Sequence, residues 1–465
     1  MPSNLSLDNI VLSDEQQSFI DIFNQGSNII LSAPAGSGKS TVINYIRNKL
    51  IEEDKLGFVA FTSSTAISAL LINGSTLHSF LGIGLGDGSV KDWLRYSNRF
   101  AVRAKGELLA SGAIKTIVID EFSMISAEFI ETMDIFLRLK INKSYSNGKE
   151  FGGIQIILIG DIFQLDTVRG RGIIYSEVFR KYNWRYVTFT KIHRQVGEDA
   201  LATVINKIKF NTFEEEDILQ FKCVDKSIIG GMSTEVIQNY TFLVSTNEEV
   251  DKYNSIMISR LVSESSAIEN NKVEMVEFKP VIIKTSAKKS APESVKLMVG
   301  CKVLITYNIS PELCNGRACI IISIDKKEKN VVVKLWNNKG EEAPSYTISY
   351  IDRVEDSLCS DTKKWKQSKL YSYMPLRVGY AITVHKSQGA TLENVVLDIN
   401  RIFSIYQLYV AISRVRKVED LTILGGSQQL TRLILLKTKE DTVSSSFGKK
   451  EFFSKFIISS YIQQL

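Results

Sequence analysis

The run APAGSGKST, residues 33–41, closes an apolar stretch, NIILS, and opens a helical one, TVINYIRNKLI. Backbone N–H groups of such a loop, together with the start of a helix, attract phosphate oxygens. Lys39 can neutralise the outer phosphates and the Ser40 hydroxyl can hold Mg²⁺, with Ala35, Gly36, Ser37, Gly38 and Thr41 completing the cradle. Ala33 stands where the pattern GxxxxGKS/T has its first glycine, a minor departure if position 33 keeps a negative φ. A Gly-rich turn of purely structural use is the other reading, and the strand–loop–helix order speaks against it.

A second constellation follows Ile117, Val118 and Ile119, which lead into Asp120 and Glu121. Two carboxylates at the C-terminal end of a buried strand lie where open α/β sheets bind ligands. Asp120 suits Mg²⁺ held through water, and Glu121 suits a group that orients or deprotonates an attacking water. GDIFQL, residues 160–165, brings Asp161 and Gln164 to the same edge, where Gln164 either reports a γ-phosphate or is an ordinary polar loop residue. Arg194 in TKIHRQ and Arg414 in VAISRV are candidate γ-phosphate contacts from outside the cradle, although either alone would read as a surface charge.

The chain has only three histidines, at 78, 193 and 385. His193 reads as structural. His78 in STLHSF and His385 in ITVHKSQGATL are flanked by hydroxyls and by either Phe80 or Lys386, a mixture suited to single-stranded nucleic acid.

These residues need a scaffold that the rest of the sequence supplies. Short apolar runs at 28–33, 57–64, 115–122, 154–161 and 186–191 read as buried parallel strands separated by helices, which gives an α/β, doubly wound first domain. Residues 208–232 read as a connection. A second α/β set follows, with strands TFLVSTN, RVGYAITV, NVVLDIN and LTILGG, and a helix carrying Ile405, Leu408, Tyr409, Ile412 and Val415 on one face. Short strands joined by polar turns over 302–351 imply an all-β insertion, and 84–112 interrupts the first domain with glycines and cations.

Composition excludes several classes. The 465 residues carry 57 Lys and Arg against 51 Asp and Glu, a net +6 that permits a polyanionic partner without requiring one. Five cysteines without a CxxC pair fit neither a disulfide framework nor a structural zinc site. No run approaches the ~18 apolar residues that span a bilayer, and the start lacks the features of an export signal.

Taken in order, LSDEQ, APAGSGKS, FTSSTAISALLINGSTLHSFLGIGLG, VIDEFSMI, FGGIQIILIGDIFQL, TKIHRQ, TFLVSTN, NGRA, GYAITVHKSQGATL and YVAISRV resemble a superfamily 1 helicase, most closely the petite-integration-frequency (PIF) DNA helicases, relatives of RecD. The resemblance implies an ATP-dependent 5′-to-3′ DNA helicase. It would have two RecA-like P-loop domains (1–210 and 211–465), with a wedge near 84–112 and an SH3-like β-barrel near 302–372. It also implies that Gln16 and Gly389 join the nucleotide site, Gln16 at adenine, and that Lys39, Ser40 and Asp120 hold ATP and Mg²⁺. Glu121, Gln164, Arg194 and Arg414 would serve hydrolysis, while Thr62, Thr65, His78, Thr383 and His385 would touch the strand. ATP would bind between the two domains, and γ-phosphate occupancy would drive their closure. Ala66 in place of a usual Gly, and Asp166–Thr167 in place of Pro–Pro, depart from the family near the strand surface.

The expected partners are single-stranded and forked duplex DNA, bound by a monomer with no membrane attachment, in the nucleus of a eukaryote or otherwise the cytoplasm. A nucleic-acid-stimulated translocase that does not unwind is the second reading. A P-loop kinase would have no use for VHKSQG and SRV, and a decayed binder would not keep Lys39, Asp120 and Glu121.

Overall fold

The computed structural model describes residues 11–432 except 100–102, 144–147, 166, 168–169, 191–198, 211, 226, 228–230, 232, 268–273, 285–290, 311, 337–343, 359–364, 426–428 and 430–431. Contacts divide the chain into two compact units. The first takes residues up to Phe213 together with Ser404–Ser413, and the second takes Glu214–Phe403 together with the residues from Arg414 onward that are described.

In the first unit, helix α1 (Asp14–Asn24) starts at a capping box. The Ser13 hydroxyl accepts from the Gln16 N–H, and Gln16 Oε1 accepts from the Ser13 N–H. Strands β1 (Asn28–Ser32), β2 (Val59–Ser63), β3 (Ser75–Thr76), β4 (Thr116–Asp120), β5 (Gln155–Gly160) and β6 (Trp184–Thr188) form one sheet in the order β3-β2-β4-β5-β1-β6, every pairing parallel. Their near-continuous Ile, Leu and Val content is what burial on both faces demands. Register matters for the site: Ser32 lies opposite Gly160, Asp120 opposite Ile159, and Ser63 opposite Asp120, so the C-terminal ends of β1, β2, β4 and β5 finish level.

Helix α2 (Lys39–Glu52) packs Val42, Ile43 and Ile46 into the core, and α3 (Ala66–Leu71) follows β2. The last strand begins at Trp184, two residues before the expected start. The Trp184 ring packs near Phe151 and Phe179, and its indole N–H donates to the Val178 carbonyl, so the strand extends to include its anchor. The interruption at 84–112 contains two short helices, Val90–Ser97 and Arg103–Ala110. Trp93 buries its ring against Phe129 and Phe136 of the helix Ala127–Asn142, at centroid distances of 4.9 and 5.9 Å.

In the second unit a parallel sheet runs in the order Ala381–Thr383, Thr241–Val244, Val395–Asp398, Leu421–Leu424, Lys222–Val224. Between Val276 and Val378 the pairing turns antiparallel. Ser345–Ile348, Asn330–Leu335, Ala318–Asp325, Lys302–Ile305 and Leu376–Val378 make one sheet, and a smaller sheet pairs Ile351–Leu358 with Trp365–Tyr373. RVGYAITV is therefore not one strand. It breaks at Gly379, where a Cβ would sit 2.7 Å from Leu304 Cγ, and its halves join different sheets. Lys222–Val224, inside the stretch read as a connection, is an edge strand too short and too polar to show a pattern.

Among the described residues no helix is long and apolar enough to cross a membrane, and Cys223, Cys301, Cys314 and Cys319 are free thiols. Cys359 lies outside the described residues.

One buried ionic network fixes the FGG turn that feeds β5. Arg138 Nε donates to both oxygens of Asp134 at 2.9 Å, while Asp134 also accepts from the Phe151 N–H (2.7 Å) and the Tyr182 hydroxyl (2.6 Å). With side-chain exposures of 12% for Arg138 and 4% for Asp134, removing one partner strands a buried charge. Asp134→Ala is expected to lower unfolding free energy by about 3–5 kcal/mol in urea denaturation, and Asp134→Asn by less, because the amide keeps one acceptor for the Phe151 N–H.

Candidate active site

The phosphate loop continues β1. The Ala33 N–H donates to the Gly160 carbonyl at 2.8 Å, and Ala33 is not among the residues with positive φ, so the missing glycine costs nothing in backbone geometry. Gly36 and Gly38 take φ of 83° and 89°, which an L side chain rarely tolerates. Gly38 caps α2 with no side chain over the helix end, leaving its first N–H groups facing the loop. Ser37 closes the turn by donating its hydroxyl to the Pro34 carbonyl at 2.8 Å. Ala35 and Gly36 are half-buried, and Ser40 and Thr41 are exposed on the first turn of α2. Lys39 is buried, with Nζ donating to the Ala33 and Pro34 carbonyls, each at 2.8 Å.

At the end of β4, Asp120 and Glu121 are buried side by side. Burial first, and then the Glu121 charge, push the Asp120 carboxyl up to about 7; Lys39 and the Glu121 N–H pull the other way. Glu121 holds φ 55° and ψ 46°, a left-handed conformation unfavourable for a residue with a Cβ. Around the level strand ends, Ser32 Oγ, Asp120 Oδ1, Glu121 Oε2, Ser123 Oγ and Thr188 Oγ1 are buried without a hydrogen-bond partner among the described residues. Native interiors rarely leave such atoms unsatisfied, and here they gather in one place.

Gln164 is buried at 1% exposure, not solvated. Asp161 shapes its loop: Oδ1 accepts from the Phe163 N–H (3.0 Å), the carbonyl accepts from the Gln164 N–H (3.1 Å), and Oδ2 accepts from the Tyr409 hydroxyl. Lys209, at the end of the helix Asp199–Lys209, lies 4.7 Å from the Phe163 ring centroid. Burial lowers its ammonium pKa; Asp161 raises it and Lys39 lowers it further. Lys209 escaped the sequence reading, and Tyr409 was placed only on an apolar helix face, because nothing in their neighbourhood marks a partner so far away in the chain.

The remaining candidates fall in varied settings. Gln16 is buried, with its carbonyl oxygen engaged in the α1 cap. Thr62 is fully buried and its hydroxyl donates to the Val118 carbonyl at 2.7 Å, so it offers no surface to a strand; its assignment to the strand-contacting set is corrected to a role inside the sheet. Thr65 caps α3, accepting from the Ser68 N–H and donating to Ser68 Oγ. Ala66 opens that helix with ordinary backbone geometry, so no glycine is required there. His78 is half-buried against the Phe129 ring at 4.9 Å, and burial holds its imidazole below the usual range against the pull of Asp87.

In the second unit, Thr383 is buried and its hydroxyl accepts from the Lys386 N–H at 3.3 Å. His385 is half-buried and also held low by burial, and Gly389 takes φ 76°. Arg414 is buried at 2% exposure, just past the helix Ile405–Ile412, and its guanidinium donates to the Ser387 and Ala390 carbonyls. Arg194, His193 and Asp166 lie outside the described residues.

A glycine-bearing loop between β1 and α2, an acidic β4 end and a buried glutamine on a parallel sheet define a P-loop nucleotide-binding protein with RecA-like α/β domains. Residues 11–219 match the family model of the PIF1-like helicase. Over those residues the chain is similar to the PIF1-like helicases. It is 25% identical over 495 residues to protein 030L of Invertebrate iridescent virus 6, covering 89% of this chain and 91% of that one. It is 26% identical over 438 residues to the ATP-dependent DNA helicase PIF1 of Xenopus laevis, covering 91% of this chain and 63% of the frog protein's length. The structure of Pif1 helicase from Bacteroides in complex with ADP-AlF3 and ssDNA superposes with a TM-score of 0.68 at 24% identity, covering 94% of this chain and 99% of that one, and shows the shared fold.

The two carboxylates give a test of the site that needs no substrate. Glu121→Gln removes one of two adjacent buried like charges, so the thermal midpoint of the nucleotide-free protein should rise by about 2–4 °C, the effect of ~1 kcal/mol in a domain of this size. A falling midpoint in differential scanning calorimetry would show that Glu121 is there for stability.

Proposed function

We propose that this chain is an ATP-dependent DNA helicase that moves 5′ to 3′ along single-stranded DNA and opens duplex ahead of it. The observation that carries the reading is the set of unsatisfied buried polar atoms gathered beside a lysine that lies in its own phosphate loop. Such a site is costly unless a ligand completes it. A triphosphate would accept from the Lys39 ammonium, the α2 N–H groups and the free hydroxyls, and the carboxylate oxygens would take a cation and water.

Mg²⁺ fits the donors present, because Asp120 Oδ1 is a buried oxygen without a protein partner and Ser40 offers an exposed hydroxyl on the first turn of α2. Bound there, the ion would neutralise charge on the phosphates. Glu121 orients and deprotonates the attacking water, and Gln164, set in place by the Asp161 loop, senses the γ-phosphate. Arg194 and Arg414 take γ-phosphate contacts, and Gln16 and Gly389 nucleotide contacts, on the strength of their motifs. Thr65, His78, Thr383 and His385 form the strand-contacting set, from which Thr62 is left out.

Two similar proteins support the same reading: the frog protein is an ATP-dependent DNA helicase, and the Bacteroides structure holds ADP-AlF3 and ssDNA. The 5′-to-3′ direction rests on family resemblance.

ATP hydrolysis should be stimulated by single-stranded DNA, and a 5′-tailed duplex should be unwound where a matched 3′-tailed one is not. Lys39→Ala should cut the stimulated rate by about 10²-fold or more. Normal hydrolysis by that variant would refute the site. Stimulation without strand displacement would leave a translocase that does not unwind.

A further inference from the structure

One charged cleft in the second unit has no part in the site described above. It encloses about 440 Å³ and is lined in part by Asp251, Asn254, Ser255, Ser294, Lys296 and Arg377. Arg377 comes from the strand Leu376–Val378; its guanidinium is half-buried and makes no hydrogen bond or close ion pair with another described residue. Burial depresses its pKa, and Asp251 only partly offsets that. A guanidinium in this position has donors to give and a desolvation cost that an anion would relieve.

The surroundings favour a particular anion. Lys386 donates to Asn247 Oδ1 at 3.4 Å, and Asn247 and Asp251 stand one turn apart on the helix Asn247–Ala267. Lys386 lies close enough to Arg377 for the two charges to repel, and Lys296 lines the same cleft as Arg377. Asp251 is the one carboxylate lining the cleft among the described residues; Glu277, cross-strand from Lys296, offsets that lysine, so the uncompensated charge centres on Arg377 and Lys386. Asn254 fastens the helix to the strand: its Nδ2 donates to the Val378 carbonyl at 3.2 Å, and its Oδ1 accepts from the Tyr380 and Ala381 N–H groups at 3.0 Å. Arg377 therefore sits on a rigid frame. The Ser255 hydroxyl adds a neutral donor, while the Ser294 hydroxyl donates to Glu277 Oε1 at 2.9 Å; guanidinium, ammonium and hydroxyl together match phosphate oxygens. Lys386 directly follows His385, which ties the cleft to the turn of the strand-contacting residues.

We propose that this cleft is a further phosphate subsite, in which Arg377, flanked by Lys386 and Lys296, binds a backbone phosphate of the single strand. The proposal rests on the reading of the chain as a strand-tracking motor.

Binding of a fluorescent oligo-dT to the full chain, followed by anisotropy over a series of salt concentrations, tests it. Arg377→Ala should weaken binding about tenfold near physiological salt and reduce the slope of log affinity against log salt by ~0.7, the share of one phosphate on a single strand. Arg377→Lys should keep most of the slope. Asp251→Asn, which removes the opposing charge, should tighten binding, and it reads the same cleft if Arg377→Ala does not fold by circular dichroism. An unchanged slope in folded Arg377→Ala, or unchanged affinity in Asp251→Asn, overturns the subsite while strand binding by the unaltered chain stands. A flat salt response in the unaltered chain overturns the motor reading and the subsite with it.

Discussion

Two carboxylates buried side by side repel each other, and burial alone already disfavours their charge. The first unit nevertheless holds Asp120 and Glu121 in that arrangement, with Lys39 as the nearby counter-charge. That placement depends on the level ends of β1, β2, β4 and β5, because a one-residue slip in β4 would turn Asp120 to the other face of the sheet. The register of the parallel sheet is thus what the site requires most. The left-handed backbone at Glu121 and the unsatisfied hydroxyls of Ser32, Ser123 and Thr188 are secondary costs borne in the same place.

Lys39 is anchored within the loop it belongs to. Two of the ammonium's three donors go to carbonyls of the loop itself, so the charge is partly satisfied and the loop is held closed around it. A phosphate need only turn the lysine outward from these bonds. Gln164 follows a similar logic. Asp161 spends its carboxylate on the Phe163 N–H and the Tyr409 hydroxyl, so any shift in that loop is felt by the helix Ile405–Ile412, which ends two residues before Arg414.

Much of this was legible in the sequence, for definite reasons. Parallel strands buried on both faces leave unbroken apolar runs, and a run that ends in an acid or a glycine-rich loop marks the ligand edge, so β1, β4 and β5 and their site residues could be placed directly. What stayed hidden depended on distant packing. The bend at Gly379 is imposed by Leu304 and Val303, 75 or more residues earlier, and the Lys222–Val224 strand gains its place from Leu421–Leu424 rather than from its own side chains. Burial of Thr62 could not be read either, since a threonine at a strand end looks the same whether its hydroxyl faces solvent or the Val118 carbonyl.

The residues proposed to contact the strand divide by what their polar atoms already do. Thr65 both accepts from and donates to Ser68, so its hydroxyl proton is committed to the α3 cap. Thr383 only accepts, from the Lys386 N–H, and its own proton remains available to a phosphate oxygen. Burial disfavours the charged form of both His78 and His385, which makes them poor cations for a polyanion. Charge neutralisation along a polyanion must then come from neighbouring lysines and arginines, and in the second unit Lys386 lies in the histidine turn itself with Arg377 near it. On the proposed reading the histidines and threonines of these motifs would set geometry and stacking, while the salt-dependent part of affinity would belong to the lysines and arginines within and beside them.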